Sequence, residues 1–169
     1  MNRQRPVAGF GLAAALALAC GGGGAGSGAG AAAGTMPAYE LASLSGAEVA
    51  ASEFAGKVVL YDFWATWCGP CHLQADIFRK LYPGLRAQGV EIVGIATGES
   101  PAVVREFAAK RPFPWPVLID SEETLSNQLD ILGLPTLVIV DREGRIRFRN
   151  TGVVGADEVE TAVAEALAR

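Results

Sequence analysis

One stretch constrains this chain more than any other. Val58-Val59-Leu60-Tyr61-Asp62-Phe63-Trp64 is followed, after only three residues, by Cys68-Gly69-Pro70-Cys71. A β-branched and aromatic run with a single charge, Asp62, reads as a strand buried on both faces, and such strands belong to sheets covered by helices. From Pro70 to about Gln88 the pattern turns helical, with Leu73, Ile77, Leu81 and Leu85 recurring every four residues as the expected inward face. Pro83-Gly84 is expected to interrupt and kink that helix. The strand therefore hands over to the helix through two cysteines, and Cys68 falls at the helix N-terminus.

The rest of the chain repeats the alternation. Tyr39 to Val49, broken by Ser45-Gly46, reads as a small hairpin. Val90 to Ala96 is a second buried strand. Ser100 is placed to cap a helix with Pro101 at its first position and Val103, Val104 and Phe107 turned inward. Pro112 to Pro116 ends that helix, with Phe113 and Trp115 read as part of a packed loop, and Val117 to Ile119 is a short strand. Ser121 is expected to cap a helix reaching about Leu132, with Glu122 and Glu123 at its positive end. Thr136 to Val140 reads as a central strand. Asp141-Arg142-Glu143-Gly144 turns it into an edge strand, Arg145 to Arg149. Ala156 to Ala168 is the last helix, with Val159, Val163 and Leu167 inward. Strands alternating with helices and closing on a hairpin predict an α/β fold, a central mixed sheet with helices on both faces. A length of 169 residues allows one such domain, assigned to residues 36–169, plus a tail.

The tail has its own logic. Arg3 and Arg5 precede an apolar stretch from Val7 to Ala19, which is shorter than the roughly 20 residues of a membrane span and fits the hydrophobic region of a signal peptide over residues 1–19. The stretch ends Leu16-Ala17-Leu18-Ala19-Cys20. That ending resembles a bacterial lipobox, with Ala17 where the family usually has Leu, and the resemblance implies cleavage before Cys20 and a lipid anchor on it. Plain secretion is the alternative, with Ala17-Leu18-Ala19 as an A-x-A cleavage site and Cys20 a free thiol. Gly21 to Gly34 contains only Gly, Ala and one Ser, so residues 20–35 read as the anchor cysteine and a flexible linker spanning roughly 20 Å.

Charge and cysteine usage narrow the function. The formal net charge is −4, and a chain starting at Cys20 loses Arg3 and Arg5 and so carries −6. Such a body lacks the basic surface that draws in phosphate backbones, which excludes nucleic acid as the expected partner. Three cysteines, one of them an isolated terminal residue, are not a disulfide framework. Cys68 at a helix N-terminus gains from unpaired amides and the macrodipole, which stabilise a thiolate. It can attack a disulfide, and Cys71, one turn on and less exposed, can then attack the mixed disulfide and release the product. Gly69 and Pro70 permit the tight approach.

The segment Asp62 to Cys71 resembles the active-site segment of thioredoxins. The wider order, with Gly89 to Val93, Ser100-Pro101, Phe113-Pro114, Gly133-Leu134-Pro135-Thr136 and Asp141 to Gly144, is similar to the membrane-tethered TlpA/ResA-like branch over about residues 38 to 168. The resemblance implies a thioredoxin-like fold and thiol–disulfide oxidoreductase activity. It implies that Pro135 is the cis-proline facing the cysteines, that Leu134 and Trp67 border the partner groove, and that Asp62 is the buried acid that takes the proton of Cys71. The tethered branch often has Asn at the place of Asp62 and Glu at that of Gln74, so this chain keeps its acid at the thioredoxin position.

Other readings of the same residues remain. Cys68 to His72 also spells the C-x-x-C-H attachment sequence for haem, but His72 is the chain's only His, and Met1 and Met36 its only Met residues. A zinc site needs four ligands. A copper-delivery protein of thioredoxin fold usually has three residues between its cysteines and a distant His. The expectation is therefore no metal and no cofactor beyond a redox-active Cys68–Cys71 disulfide. The Gly-Pro dipeptide is that of thioredoxin, a reducing couple near about −270 mV. It favours reduction of partner disulfides, apocytochrome c among them, over disulfide formation or isomerisation. A monomer supplied with electrons by a membrane relay is expected.

Overall fold

The computed structural model describes residues 34–169, with Met1 alone of the residues before them. In chain order the strands and helices are β1 (Glu40–Ser43), β2 (Glu48–Ala50), β3 (Val58–Trp64), α1 (Gly69–Ala87), β4 (Val90–Thr97), α2 (Pro101–Lys110), β5 (Val117–Asp120), α3 (Thr124–Gln128), β6 (Thr136–Val140), β7 (Ile146–Thr151) and α4 (Ala156–Leu167). Among the described residues the strands form one sheet in the order β2-β1-β5-β4-β3-β6-β7. β3, β4 and β5 run parallel, while β6 pairs antiparallel with β3 and β1 antiparallel with β5.

Period-two alternation along β3 decides what faces what. Val58, Leu60 and Trp64 point to one layer, where Phe78 and Leu85 of α1, Val104 of α2 and Val159 and Val163 of α4 close the core. Val59, Tyr61 and Phe63 point to the other, against Leu125 of α3, Leu129 and Phe54. Asp62, even-numbered like Leu60, therefore looks into the α1 layer. Gly94 on β4 is required by packing: a Cβ there would stand 3.1 Å from Trp64 Nε1 and 3.4 Å from Trp115 Nε1.

At the other end of the sheet the chain enters by pairing. Ile146 donates to the Gly34 carbonyl (2.9 Å) and Met36 to that of Gly144 (2.8 Å), beside the turn from β6 to β7.

Several local expectations are corrected. The buried face of α1 is Cys71, Gln74, Ala75, Phe78, Tyr82 and Leu85, and Leu73 is exposed. A strict spacing of four overshoots a 3.6-residue turn by about 40° each time, so Leu73 and Leu85 lie about 120° apart. Pro83 does not interrupt α1, which runs on to Ala87 and seats Leu85 in the core. Val103 faces solvent, and Val104 and Ala108 carry the inner side of α2. Ser100 holds the cap position there without a side-chain hydrogen bond.

The helix expected from Ser121 to Leu132 shrinks to α3. Its N-terminal amides at Leu125 and Ser126 are taken by the Asp120 carboxylate, at 3.3 and 2.9 Å, while Ser121 donates to the Glu99 carbonyl. A buried carboxylate at the end of β5 reaches those amides, and the expected cap residue turns elsewhere. Asp130, with φ at 49°, leaves the helical region and bars extension.

Candidate active site

β3 ends at Trp64, and three residues later Cys68 sits as the N-cap of α1, with Gly69 and Pro70 opening the first turn. Cys68 and Cys71 are joined in a disulfide, with Cα atoms 5.3 Å apart. The Cys71 amide donates to Cys68 Sγ at 3.2 Å. That bond is the capping interaction a helix N-terminus offers any electron-rich atom, supplied here by sulfur. Cys68 and Cys71 are both buried as residues. Trp67, 72% exposed, stands immediately before the pair.

Asp62 lies beneath. It is buried, its Oδ1 has no hydrogen-bond partner, and it lines a cavity of about 10 Å³ together with Cys71, His72 and Arg111. Desolvation by burial pushes its carboxyl up to about 7. An acid that is half ionised near neutral pH beside the second thiol can take a proton from it and return it.

The loop between β3 and α1 is held from the side. Glu99, following β4, accepts the Thr66 amide at 2.6 Å and the Thr66 hydroxyl at 2.5 Å. The Thr66 carbonyl accepts from His72 Nε2 at 3.0 Å, and the His72 ring stacks on Phe107 with centroids 5.2 Å apart. Arg111 is paired to Asp76 at 2.7 Å. Gln74 is fully buried, and its amide group both accepts the Val154 amide (2.7 Å) and donates to the Val154 carbonyl (3.3 Å). A glutamate at this place would set a carboxylate oxygen against that carbonyl. The amide satisfies both backbone groups, which accounts for the departure at Gln74.

The Leu134–Pro135 peptide is cis. Phe63 pairs with Thr136 across β3 and β6, which brings Leu134 and Pro135 to the end of the sheet where the cysteines lie. The structure thus gathers Asp62, Trp67, Cys68, Gly69, Pro70, Cys71, Leu134 and Pro135 at one pole. Cys20, the signal-peptide residues and nearly all of the linker lie outside the described residues. Glu99 was not singled out in the sequence, because its partner is 33 residues away and nothing local marks it. His72 entered only through the haem motif. Its one signal is being the only histidine in the chain. Among the described residues no three of His, Cys, Asp or Glu gather as metal ligands.

A capping cysteine joined in a disulfide to a second cysteine one turn on is the arrangement that thiol–disulfide exchange requires. The chain is a thiol–disulfide oxidoreductase on a thioredoxin fold. It belongs to the Redoxin family, which it matches over residues 31–167. Among curated proteins it is similar to the thiol-disulfide oxidoreductase ResA of Geobacillus kaustophilus, 33% identical over 126 residues that cover 75% of this chain and 72% of that protein. The ResA of Bacillus subtilis is 31% identical over 118 residues, covering 70% and 66%. Among solved structures, one from Chlorobium tepidum described as a thiol:disulfide interchange protein DsbE superposes with a TM-score of 0.73 at 26% identity, over 79% of this chain and 96% of that one.

Proposed function

We propose that the protein is an extracytoplasmic, membrane-tethered reductant of partner disulfides, with a lipid on Cys20. Cys68 attacks a partner disulfide, and Cys71, giving its proton to Asp62, displaces the reduced partner. The couple is its only redox group, with no metal, and it acts as a monomer recharged by a membrane electron relay. Oxidised apocytochrome c, whose cysteines must be reduced before haem attaches, is one class of partner.

The direction rests on the charge around the couple. Asp62 lies in the cavity lined by Cys71, and Glu99 binds the loop before Cys68. The Cys68 sulfur has the Cys71 amide as its partner, and the nearby Arg111 is already paired to Asp76. Carboxylates on that side of the couple oppose the charge of a nascent thiolate, against the stabilisation that the helix N-terminus offers Cys68. A dithiol whose thiolate is poorly stabilised gives up electrons readily, the reverse of the strongly oxidising couples.

The test is the reduction potential of the chain carrying Cys20→Ser, which leaves Cys68–Cys71 as the sole couple. A value below about −230 mV is expected, whereas one above about −150 mV would make the protein an oxidant that introduces disulfides. The tether is tested by fractionation: Cys20→Ala is expected to release the protein from the membrane, and a wild-type chain found in the soluble fraction removes the anchor.

A further inference from the structure

The cavity beneath the disulfide has an inner and an outer wall. Asp62, Trp64, Cys71 and Ala75 are buried, while His72, Phe107, Arg111 and Phe113 are only half-buried and reach solvent. At about 10 Å³ the space fits one water molecule. Asp62 Oδ1 has no protein partner to pass a proton to, and the outer wall of the cavity is a route to solvent for a proton taken from Cys71. The two phenylalanines do not titrate. Arg111 stays protonated and is held by Asp76. His72 is the only outer-wall residue whose side chain offers both a proton donor and a proton acceptor, one on each ring nitrogen.

Its ring is set for the task. The Thr66 carbonyl can only accept, so Nε2 carries a hydrogen and Nδ1 is the nitrogen left to take another. Nδ1 is not among the buried side-chain atoms that lack a partner. The stack on Phe107 holds the ring against the cavity. The groups around it are Asp62 from β3, Cys71 and Asp76 from α1, Arg111 beyond α2, and Glu99 after β4 acting through Thr66.

We propose that His72 carries the proton between Asp62 and solvent, by way of this cavity, each time the cysteine pair closes or opens. This rests on the reading of Asp62 as the acceptor for Cys71. In the closing step the Cys71 thiol gives its proton to the Asp62 carboxylate and its sulfur bonds to Cys68. The bond from Cys68 to the partner breaks, and its electron pair leaves on the partner sulfur, which takes a proton from water. The cysteine pair is oxidised and the partner disulfide reduced. Asp62 then returns to its ionised form through a cavity water and His72 Nδ1. An acid held at about 7 can give its proton up again near neutral pH.

The test is single-turnover oxidation of the reduced chain, carrying Cys20→Ser, by glutathione disulfide from pH 5 to 9, with the potential measured in parallel. His72→Gln keeps a donor for the Thr66 carbonyl but carries no proton. It is expected to slow closing about tenfold at pH 7 and to change the shape of the pH profile, with the potential unchanged. In His72→Ala, added imidazole is expected to restore the rate. A wild-type rate and profile in His72→Gln, with Asp62→Asn slow, overturns the role of His72 and leaves that of Asp62 standing. Wild-type rates in both overturn both. A slow His72→Gln with a shifted potential, and no rescue of His72→Ala, makes the residue structural and overturns the proposal.

Discussion

Asp62 and Asp141 are both buried carboxylates, one at each end of the sheet, and their surroundings push them in opposite directions. Asp62 has an oxygen with no partner, and burial alone moves it up to about 7. Burial also pushes Asp141 up, but the Arg145 amide and the guanidinium groups of Arg145 and Arg147 outweigh it and hold the carboxyl at about 2. Depth is therefore not what sets the ionisation of these two acids. The partners are, and the protein withholds them at the cysteine end while supplying them at the turn.

The strongest way to break this contrast is to remove the lone charge. Below pH 4 Asp62 is protonated whether folded or unfolded, so it costs nothing there. As pH rises towards 7 the unfolded chain releases the proton and the native state does not, and stability falls. Asp62→Asn is therefore expected to stabilise the fold by up to about 4 kcal/mol at pH 8 and hardly at all at pH 4, measured by denaturant unfolding. The same variant should slow disulfide exchange about a hundredfold at pH 7. No stabilisation at pH 8 would mean that Asp62 is not desolvated.

Asp141→Asn should do the converse. Its folded carboxyl lies below the unfolded value, so its contribution is complete above about pH 4 and is lost as pH falls towards 2. The expected loss is about 2 kcal/mol at neutral pH, discounted because Arg145 is half exposed, and it should vanish near pH 2 with exchange rates unaltered. A changed exchange rate would show that the two ends are coupled. The smallest effect concerns Glu99. Replacing it by Gln removes a charge near the couple and weakens the hold on Thr66, and is expected to raise the potential by about 10–20 mV and cost about 1 kcal/mol. A potential that falls instead would contradict the electrostatic account of the direction.

The sequence was most legible where a residue's surroundings are its own neighbours. β3 and β6 fall within the residues read for them, and β4 and β5 run one residue further, because buried strands announce themselves by composition. The C-x-x-C pair followed from its placement between a buried strand and a helix start, and the acid beneath it from the resemblance to thioredoxins. What escaped depends on distant partners. Gln74 meets Val154 eighty residues on, Glu99 meets Thr66 across the sheet end, and Asp120 displaces Ser121 at α3 by reaching forward from a strand. The α1 face was misread for a local reason: a spacing of four looks regular in sequence but winds around a real helix.

The entry of the chain at Gly34, against the turn after β6, has a mechanical consequence. β6 carries the sheet from Thr136, beside the cysteine pole, to Val140, roughly 13 Å away, and Gly34 and Met36 pair just beyond that far end. An anchor upstream of Gly34 thus grips the domain by its heel, and the cysteines ride at the toe. A leash fixed there, as the proposed anchor on Cys20 would be, would make the domain an arm whose reactive tip sweeps the widest arc. With that anchor, the arm would have to fold back over its pivot to meet a donor in the membrane, whereas a partner standing off the surface would meet the tip directly.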